Sequence, residues 1–323
     1  GGTESNNIAI FGAAYAGNFA VTTTSGPGLS LKSEALGLAV MAELPLVVVD
    51  VQRGGPSTGL PTKTEQSDLN QALYGRNGEC PMVVIAASSP SDCFHYAFMA
   101  GKIAMEHMTP VMLLSDGFIA NGSEPWKIPS MADYPAIVPP IVEPREGEEF
   151  LPYARNEKLA RGWAFPGKAG LQHRIGGLEK DHLRGTISHD PKNHQEMVTT
   201  RKRKVELVAE ELPELKVFGA EEADVLVVGW GGTRGHLHSA VQQLQEEGKS
   251  VAHLHFNYIY PMQKGVADIL KRYKRIVVCE LNEGQFANYL RQQFTDVVIE
   301  SYGKTEGQPF TVIEIKEKVN SML

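Results

Sequence analysis

Three polar loops in this sequence each follow a run that reads as a β-strand. Thr24-Ser25-Gly26-Pro27-Gly28 follows residues 21–24, Arg53-Gly54-Gly55-Pro56-Ser57-Thr58-Gly59 follows an apolar run from Leu46, and Asp116-Gly117 follows residues 111–114. A guanidinium beside glycines and hydroxyls suits a carboxylate or phosphate, because it donates two parallel hydrogen bonds in a fixed fork. An isolated Arg-Gly-Gly is more often a surface turn with a solvated arginine. The functional reading gains weight because all three loops fall at the carboxyl ends of expected parallel strands, where open α/β sheets bind ligands.

Other candidates are weaker. Gly229-Trp230-Gly231-Gly232-Thr233-Arg234-Gly235 follows a strand, but Arg234 stands where a dinucleotide fingerprint needs its third glycine, and the next strand ends at Phe256-Asn257 without an acid for a ribose. A strand-to-helix turn that needs small residues explains it better. His236 with His238, and His253 with His255, are spaced i, i+2; on a strand such a pair shares a face and could bind metal, yet no carboxylate ligand is near in sequence. Neither a nucleophile elbow nor a His-Glu-x-x-His pattern is expected, so hydrolase chemistry has little support. Cys80, Cys93 and Cys279 show no Cys-x-x-Cys spacing. This argues against a disulfide framework and against an iron–sulfur or zinc centre ligated by this chain alone.

These groups must be positioned by an alternation of strands and helices. Buried strands are expected over residues 46–53, 82–87 and 111–114, with a β-branched strand at 21–24 and helices over 8–17, 30–43 and 62–74. Ser89-Pro90-Ser91-Asp92 opens a further helix that runs to Pro110. Strand and helix alternate, so the first part should be a parallel α/β layer. Eight prolines between Pro125 and Pro166 then forbid regular elements and imply an extended connector. A helix over 193–212 carries Arg201-Lys202-Arg203-Lys204, a poor nucleic-acid patch because Glu206, Glu210, Glu211 and Glu214 follow at once. The α/β rhythm resumes from Asp224 with strands at 225–228, 251–256, 275–279 and 297–299, and Thr311-Val312-Ile313-Glu314 is a capping box. The expected divisions are 1–128, 129–221 and 222–323.

The 323 residues allow two cored domains, and 42% hydrophobic with 21% charged residues is ordinary for a globular chain. A net charge of −7 disfavours nucleic acid as a partner. No apolar run approaches the ~18 residues needed to cross a bilayer, and a cytoplasmic location is the default expectation.

The motifs together resemble one family. Thr22-Thr23-Thr24-Ser25-Gly26-Pro27-Gly28, the stretch from Val49 through Arg53-Gly54-Gly55-Pro56-Ser57-Thr58-Gly59 to Lys63, Tyr74-Gly75-Arg76-Asn77-Gly78-Glu79, Leu114-Ser115-Asp116-Gly117, Gly176-Gly177-Leu178-Glu179-Lys180-Asp181 and Asn282-Glu283-Gly284-Gln285 look like the alpha subunit of 2-oxoacid:ferredoxin oxidoreductases, 2-oxoglutarate type. The resemblance implies an α/β fold with a thiamine-diphosphate-binding, pyrimidine-type parallel-sheet domain and a transketolase C-terminal-like domain. It implies thiamine diphosphate shared with a beta subunit, which would carry the magnesium and a [4Fe-4S] cluster, with coenzyme A as a substrate and ferredoxin as acceptor. A gamma domain or subunit is a further expected partner. Arg53 matches the family's substrate-carboxylate arginine; Thr58 and Asp181 are expected near the substrate, and Thr24, Ser25, Gly26 and Ser57 near the cofactor.

The amino end departs from the family. A Tyr-Pro-Ile-Thr-Pro motif would precede Gly1, and Thr3 to Ala9 stand where the family has Glu-x-Glu-Ile-Ala-Ala, whose glutamate bonds the pyrimidine ring. The chain is therefore expected to be part of a longer one, with Glu4 as the counterpart of that glutamate. Two alternatives remain: the beta chain of a thiamine-dependent 2-oxoacid dehydrogenase, and a non-catalytic assembly subunit of the same fold.

Overall fold

The computed structural model describes residues 2–323, with side chains from residue 6 onward. The strands are, in chain order, β1 (Ala20–Thr24), β2 (Leu46–Gln52), β3 (Val83–Ala86), β4 (Pro110–Asp116), β5 (Val217–Gly219), β6 (Val225–Trp230), β7 (Val251–Phe256), β8 (Tyr258–Tyr260), β9 (Arg275–Glu280) and β10 (Ile299–Gly303). They form two five-stranded sheets, β1-β2-β4-β3-β8 and β10-β9-β6-β7-β5. All pairings are parallel except β8 on β3 and β5 on β7, each at a sheet edge.

The continuous Val/Ile/Leu runs in β2, β3, β4 and β6 follow from this arrangement, since a parallel sheet is covered by helices on both faces. Every residue of β4 and β6 is buried. Alternation sorts the side chains. Leu46 and Val48 face the large core shared by both sheets, while Val47 and Val49 face the helix Asp92–His107. Asp50 is next on the Leu46–Val48 face and is fully buried.

Several expected elements shift. The helix over 30–43 is broken into Gly26–Ser30 and Ser33–Ala42. Only Leu69–Tyr74 of the 62–74 stretch is helical, because residues 54–63 close on themselves and Thr64 to Gln66 are taken up by contacts to other segments. The strand expected at 297–299 lies at Ile299–Gly303. Strands β5 and β8 carried too few residues for a readable pattern, and β8 joins the first sheet although the chain around it builds the second. The capping box at Thr311 forms, with both reciprocal hydrogen bonds present.

The proline-rich stretch is irregular, as its composition requires, and is held down by side chains. Trp163 Nε1 donates to Ala14 O at 3.0 Å and Arg161 Nε to Ala42 O at 3.1 Å. Arg155 forks onto Glu43 with two 2.7 Å bonds, and Lys204 reaches the same carboxylate. Two members of the basic run on helix Pro191–Glu206 are thus spent inside the protein: Lys204 on Glu43 and Arg201 on Glu179. That removes the nucleic-acid reading of this run.

Candidate active site

The carboxyl ends of the two sheets meet. Gln66 is the joint: its backbone exchanges hydrogen bonds with Leu281 O and Asn282 Nδ2, and its side chain with Leu281 N and Trp230 O, all at 2.7–2.9 Å. Gln285 extends the seam to Ser67 O at 3.0 Å and Asn70 N at 2.9 Å. The third polar loop lies inside this junction. Asp116 Oδ1 accepts from Phe118 N, Ile119 N and Thr64 Oγ1 at 2.8–3.0 Å. A Cβ on Gly232 would come within 2.1 Å of Asp116 Oδ2. The Gly231-Gly232 turn is therefore an interdomain contact that needs the absence of side chains, which disposes of the dinucleotide reading.

The first two loops open onto a cleft of about 330 Å³. Its walls include Gly26, Arg53, Gly55, Ser57, Glu65 and Asp68. Residues 54–63 form a closed loop, with Gly54 N donating to Lys63 O at 3.0 Å and Leu60 N to Gly54 O at 2.9 Å. Closure demands glycine at Gly59, where φ is +42° and a Cβ would lie 1.7 Å from Gly54 O. Ser67 Oγ donates to Arg53 O at 2.7 Å and fixes the backbone that aims the guanidinium. Arg53 is half-buried, and its buried Nε has no acceptor among the described residues. A buried donor without a partner is costly, so an anion is the natural complement.

The other expected residues are distributed. Thr24 and Ser25 sit at the end of β1 just before Gly26, and Thr24 Oγ1 donates to Ser25 O at 3.3 Å. Ser57 reaches the cleft wall; Thr58 is exposed on the closed loop and does not line the cleft. Asp181 does not line it either, since its Oδ1 accepts from Leu183 N at 3.0 Å and Arg184 N at 2.7 Å and holds a turn. Those two amides, first among its neighbours, hold the carboxyl below the usual range. The side chain of Glu4 lies outside the described residues. Residues 55–59 do spell Gly-x-Ser-x-Gly, but Ser57 is exposed in a loop and not at a strand-to-helix elbow, so it is no activated nucleophile.

Acidic groups at the cleft were not anticipated. Asp68 lines it and touches the buried Asp50, and burial followed by their mutual repulsion pushes Asp50 well above the ordinary carboxylate range. Burial also raises Asp68 and Glu65. The only sequence signal was an aspartate inside an apolar strand.

The paired histidines separate by element. His253 and His255 share a face of β7, the face whose strand neighbours pack under helix Arg234–Glu246, whereas His236 and His238 lie on that helix and diverge. His236 packs on Phe118 at 5.1 Å between ring centres and His238 on Phe218 at 4.0 Å. Among the described residues no three His, Cys, Asp or Glu side chains come together as a metal site.

Comparison with known proteins fits this geometry. Residues 5–189 match the family described as pyruvate flavodoxin/ferredoxin oxidoreductase, thiamine diphosphate-binding, and residues 223–315 match pyruvate:ferredoxin oxidoreductase core domain II. The chain belongs to the pyruvate flavodoxin/ferredoxin oxidoreductase family. It is 50% identical to the 2-oxoglutarate oxidoreductase subunit KorA of Mycobacterium tuberculosis over 98% of this chain and 48% of that protein. It is 32% identical to the 2-oxoglutarate synthase subunit KorA of Methanothermobacter thermautotrophicus over 86% of this chain and 73% of that protein. The solved 2-oxoglutarate:ferredoxin oxidoreductase from Magnetococcus marinus, with 2-oxoglutarate, coenzyme A and succinyl-CoA bound, superposes with a TM-score of 0.92 at 35% identity, over 99% of this chain and 56% of that one. A split gene transketolase shares the fold at a TM-score of 0.53 and 11% identity, over 99% of this chain and 81% of that one. The chain spans about half the length of the M. tuberculosis relative.

Within the oxidoreductase family pattern, several motifs have structural work. Arg76 donates to Ala72 O, Leu73 O and Cys80 O at 2.9–3.1 Å and closes the end of helix Leu69–Tyr74. Glu179 of the Gly176–Asp181 motif accepts from Arg201 and His194. Asn282 and Gln285 make the interdomain seam. The Ser25–Gly28 and Arg53–Gly59 motifs open onto the cleft, whereas Tyr74, Arg76, Gly78 and Glu79 line a separate cavity of about 490 Å³.

Proposed function

We propose that this chain is the alpha subunit, or the alpha part, of a 2-oxoacid:ferredoxin oxidoreductase, with 2-oxoglutarate as its substrate. The observation that carries the reading is the half-buried Arg53 guanidinium, its Nε without an acceptor, facing a cleft walled by the family's own Gly26 and Ser57 loops. The cleft fits thiamine diphosphate as a neighbour: Gly26 brings bare backbone to part of one wall, and the Arg53 guanidinium, with its Nε unpaired among the described residues, offers a cation for a substrate carboxylate beside it. Bound thiamine diphosphate supplies the electron sink that lets a 2-oxoacid lose carbon dioxide.

In this arrangement Arg53 holds the 1-carboxylate of the 2-oxoacid and fixes which face of the 2-oxo carbon is presented. Ser57 donates its hydroxyl at the rim, and the Thr24 to Gly26 backbone shapes the cofactor wall. Thr58 and Asp181 meet substrate only where another chain carries it past the rim. We assign to a beta subunit the diphosphate, its magnesium and a [4Fe-4S] cluster, with coenzyme A taking the acyl group, ferredoxin the electrons, and a gamma domain or subunit completing the longer relatives. The similarity to proteins named for 2-oxoglutarate supports the substrate. Neither the dehydrogenase beta chain nor a non-catalytic subunit is favoured by a feature of the cleft.

The test is Arg53→Ala in the enzyme coexpressed with its beta chain. The expected loss in kcat/KM for 2-oxoglutarate is about 100-fold, the scale for removing one partner of a buried ion contact, and a rise in KM is part of it. Unchanged kcat and KM would refute the assignment.

A further inference from the structure

Strand alternation places Asp50 inside the protein at the tip of β2, opposite Thr24 on β1 and Leu114 on β4. It is 0% exposed, and neither of its carboxyl oxygens receives a hydrogen bond from an N–H or hydroxyl among the described residues. Its polar contact is the carboxyl of Asp68, whose own Oδ2 is likewise buried without such a donor. Two carboxyl oxygens attract only if a proton lies between them; both ionised, they repel at contact distance in a medium that screens poorly.

The surroundings hold the pair together. Asp68 N donates to Gln52 Oε1 at 3.1 Å, and Gln52 Nε2 donates to Ser115 O at 3.1 Å, which anchors Asp68 to the strand tips. A Cβ on Gly26 would lie 2.7 Å from Asp68 Oδ1, so the loop after β1 closes over the pair as bare backbone. The charged groups facing it are Arg53 and Glu65, from the same loop and the same cleft. From the other elements at the cleft, segment Gly26–Ser30 and helix Leu69–Tyr74 contribute Ser30 and Gln71, which do not titrate in water. Tyr74, at the far end of that helix, is bonded to Gln292.

The consequence is electrostatic. With a proton on the pair, the pair presents a single negative charge to the Arg53 cation. With the proton gone, a further negative charge sits beside Arg53, and an incoming carboxylate meets repulsion at the residue meant to attract it. Burial keeps Asp50, Asp68 and Glu65 protonated to higher pH than free carboxyls, the direction that preserves anion binding.

We propose that Asp50 and Asp68 are a proton-sharing pair of positioning residues that set the charge of the Arg53 cleft and thereby its affinity for the substrate carboxylate. This rests on the reading of Arg53 as the carboxylate-binding residue. Loss of the shared proton raises KM for the 2-oxoacid, by up to about tenfold per pH unit for one linked proton. Asp50→Asn replaces that proton with a permanent amide donor to Asp68, so the rise of KM at high pH disappears while KM near neutrality and kcat change little. Asp68→Asn removes the shared proton from the cleft side and stands in, for the infrared band and for the slope of KM against pH, if Asp50→Asn does not fold.

Two measurements separate the claims. Infrared difference spectra of the two-chain enzyme against each Asn variant at neutral pH should show the carbonyl band of a protonated carboxyl that both substitutions remove. KM against pH for the two-chain enzyme should rise at high pH in the unsubstituted form and stay flat in the variants. Absence of the band, or a band untouched by both substitutions, overturns the pair. The same pH profile in the Asn variants as in the unsubstituted enzyme overturns its role. Unaltered kinetics of Arg53→Ala overturn instead the functional reading beneath it, and leave the infrared result to decide the pair.

Discussion

One inner strand of each sheet, β2 and β9, carries a buried acid at or near its carboxyl end, Asp50 and Glu280, and these two acids are satisfied in opposite ways. On the second sheet Glu280, at the end of β9, accepts from Trp230 Nε1 at 3.2 Å, Phe286 N at 2.8 Å and Ala287 N at 2.9 Å. These fixed donors tie β9 to β6 and to the start of helix Gln285–Gln293. On the first sheet Asp50 meets only another carboxyl, beside a cleft. A carboxylate surrounded by amide donors is architecture. One whose partner can gain or lose a proton can respond to its environment.

Replacing Glu280 should therefore cost the most. Glu280→Ala leaves an indole N–H and two helix amides without acceptors, and a loss of about 3 kcal/mol in urea unfolding is expected. A loss below 1 kcal/mol would show that the two edges are not built differently.

Acid should attack the second domain next, through its buried histidines. Burial, then the neighbouring His238 and Arg234 charges, push His253 down to about 3. Its folded value lies below the unfolded one, so the stability it confers is complete above pH 6.5 and falls as pH drops from there toward 3, by about 1.4 kcal/mol per unit at most. Between pH 7 and pH 5 a loss of about 2 kcal/mol from this residue is expected, and His253→Leu should remove that share. An unfolding midpoint with the same pH slope in the variant would contradict the buried neutral state.

Smaller effects belong to the cleft. Gly26→Ala forces a methyl against the buried Asp68 and should raise KM about tenfold and lower stability by about 1 kcal/mol. Asp50→Asn, in contrast to Glu280, should alter stability by no more than about 1 kcal/mol near pH 4, where Asp50 holds its proton folded and unfolded and the substitution exchanges one donor for another. Since burial raises the folded pKa of Asp50, the unsubstituted protein should lose stability as pH rises above the ordinary carboxylate range, and the variant should not.

Much of this frame was legible in the residues. Continuous β-branched runs marked β2, β4, β6 and β9, and Pro110 and the Thr311 capping box bounded helices where expected. Arg53 and the loop after β1 were readable as neighbours, because parallel strands with helical crossovers bring successive carboxyl ends to one edge. The other features were not. Asp116 read as a third wall of the site and proved to be a junction, since the second domain that covers it lies more than a hundred residues away in sequence. Gln66 carries no local signal at all, although it makes the joint between the sheets.

By itself the sequence determined period and boundary: which runs are strands, that the run from Leu46 is buried, and that the polar loops after β1 and β2 lie at strand ends. Those properties are local, set by backbone sterics and the alternation of side chains. Only the tertiary structure decided that Asp68 returns to meet Asp50, that β8 crosses to the first sheet, and that the Gly231-Gly232 turn seats on Asp116. Each depends on the path of a loop and on groups that become neighbours only when the cores close, and no window of sequence contains both halves of such a contact.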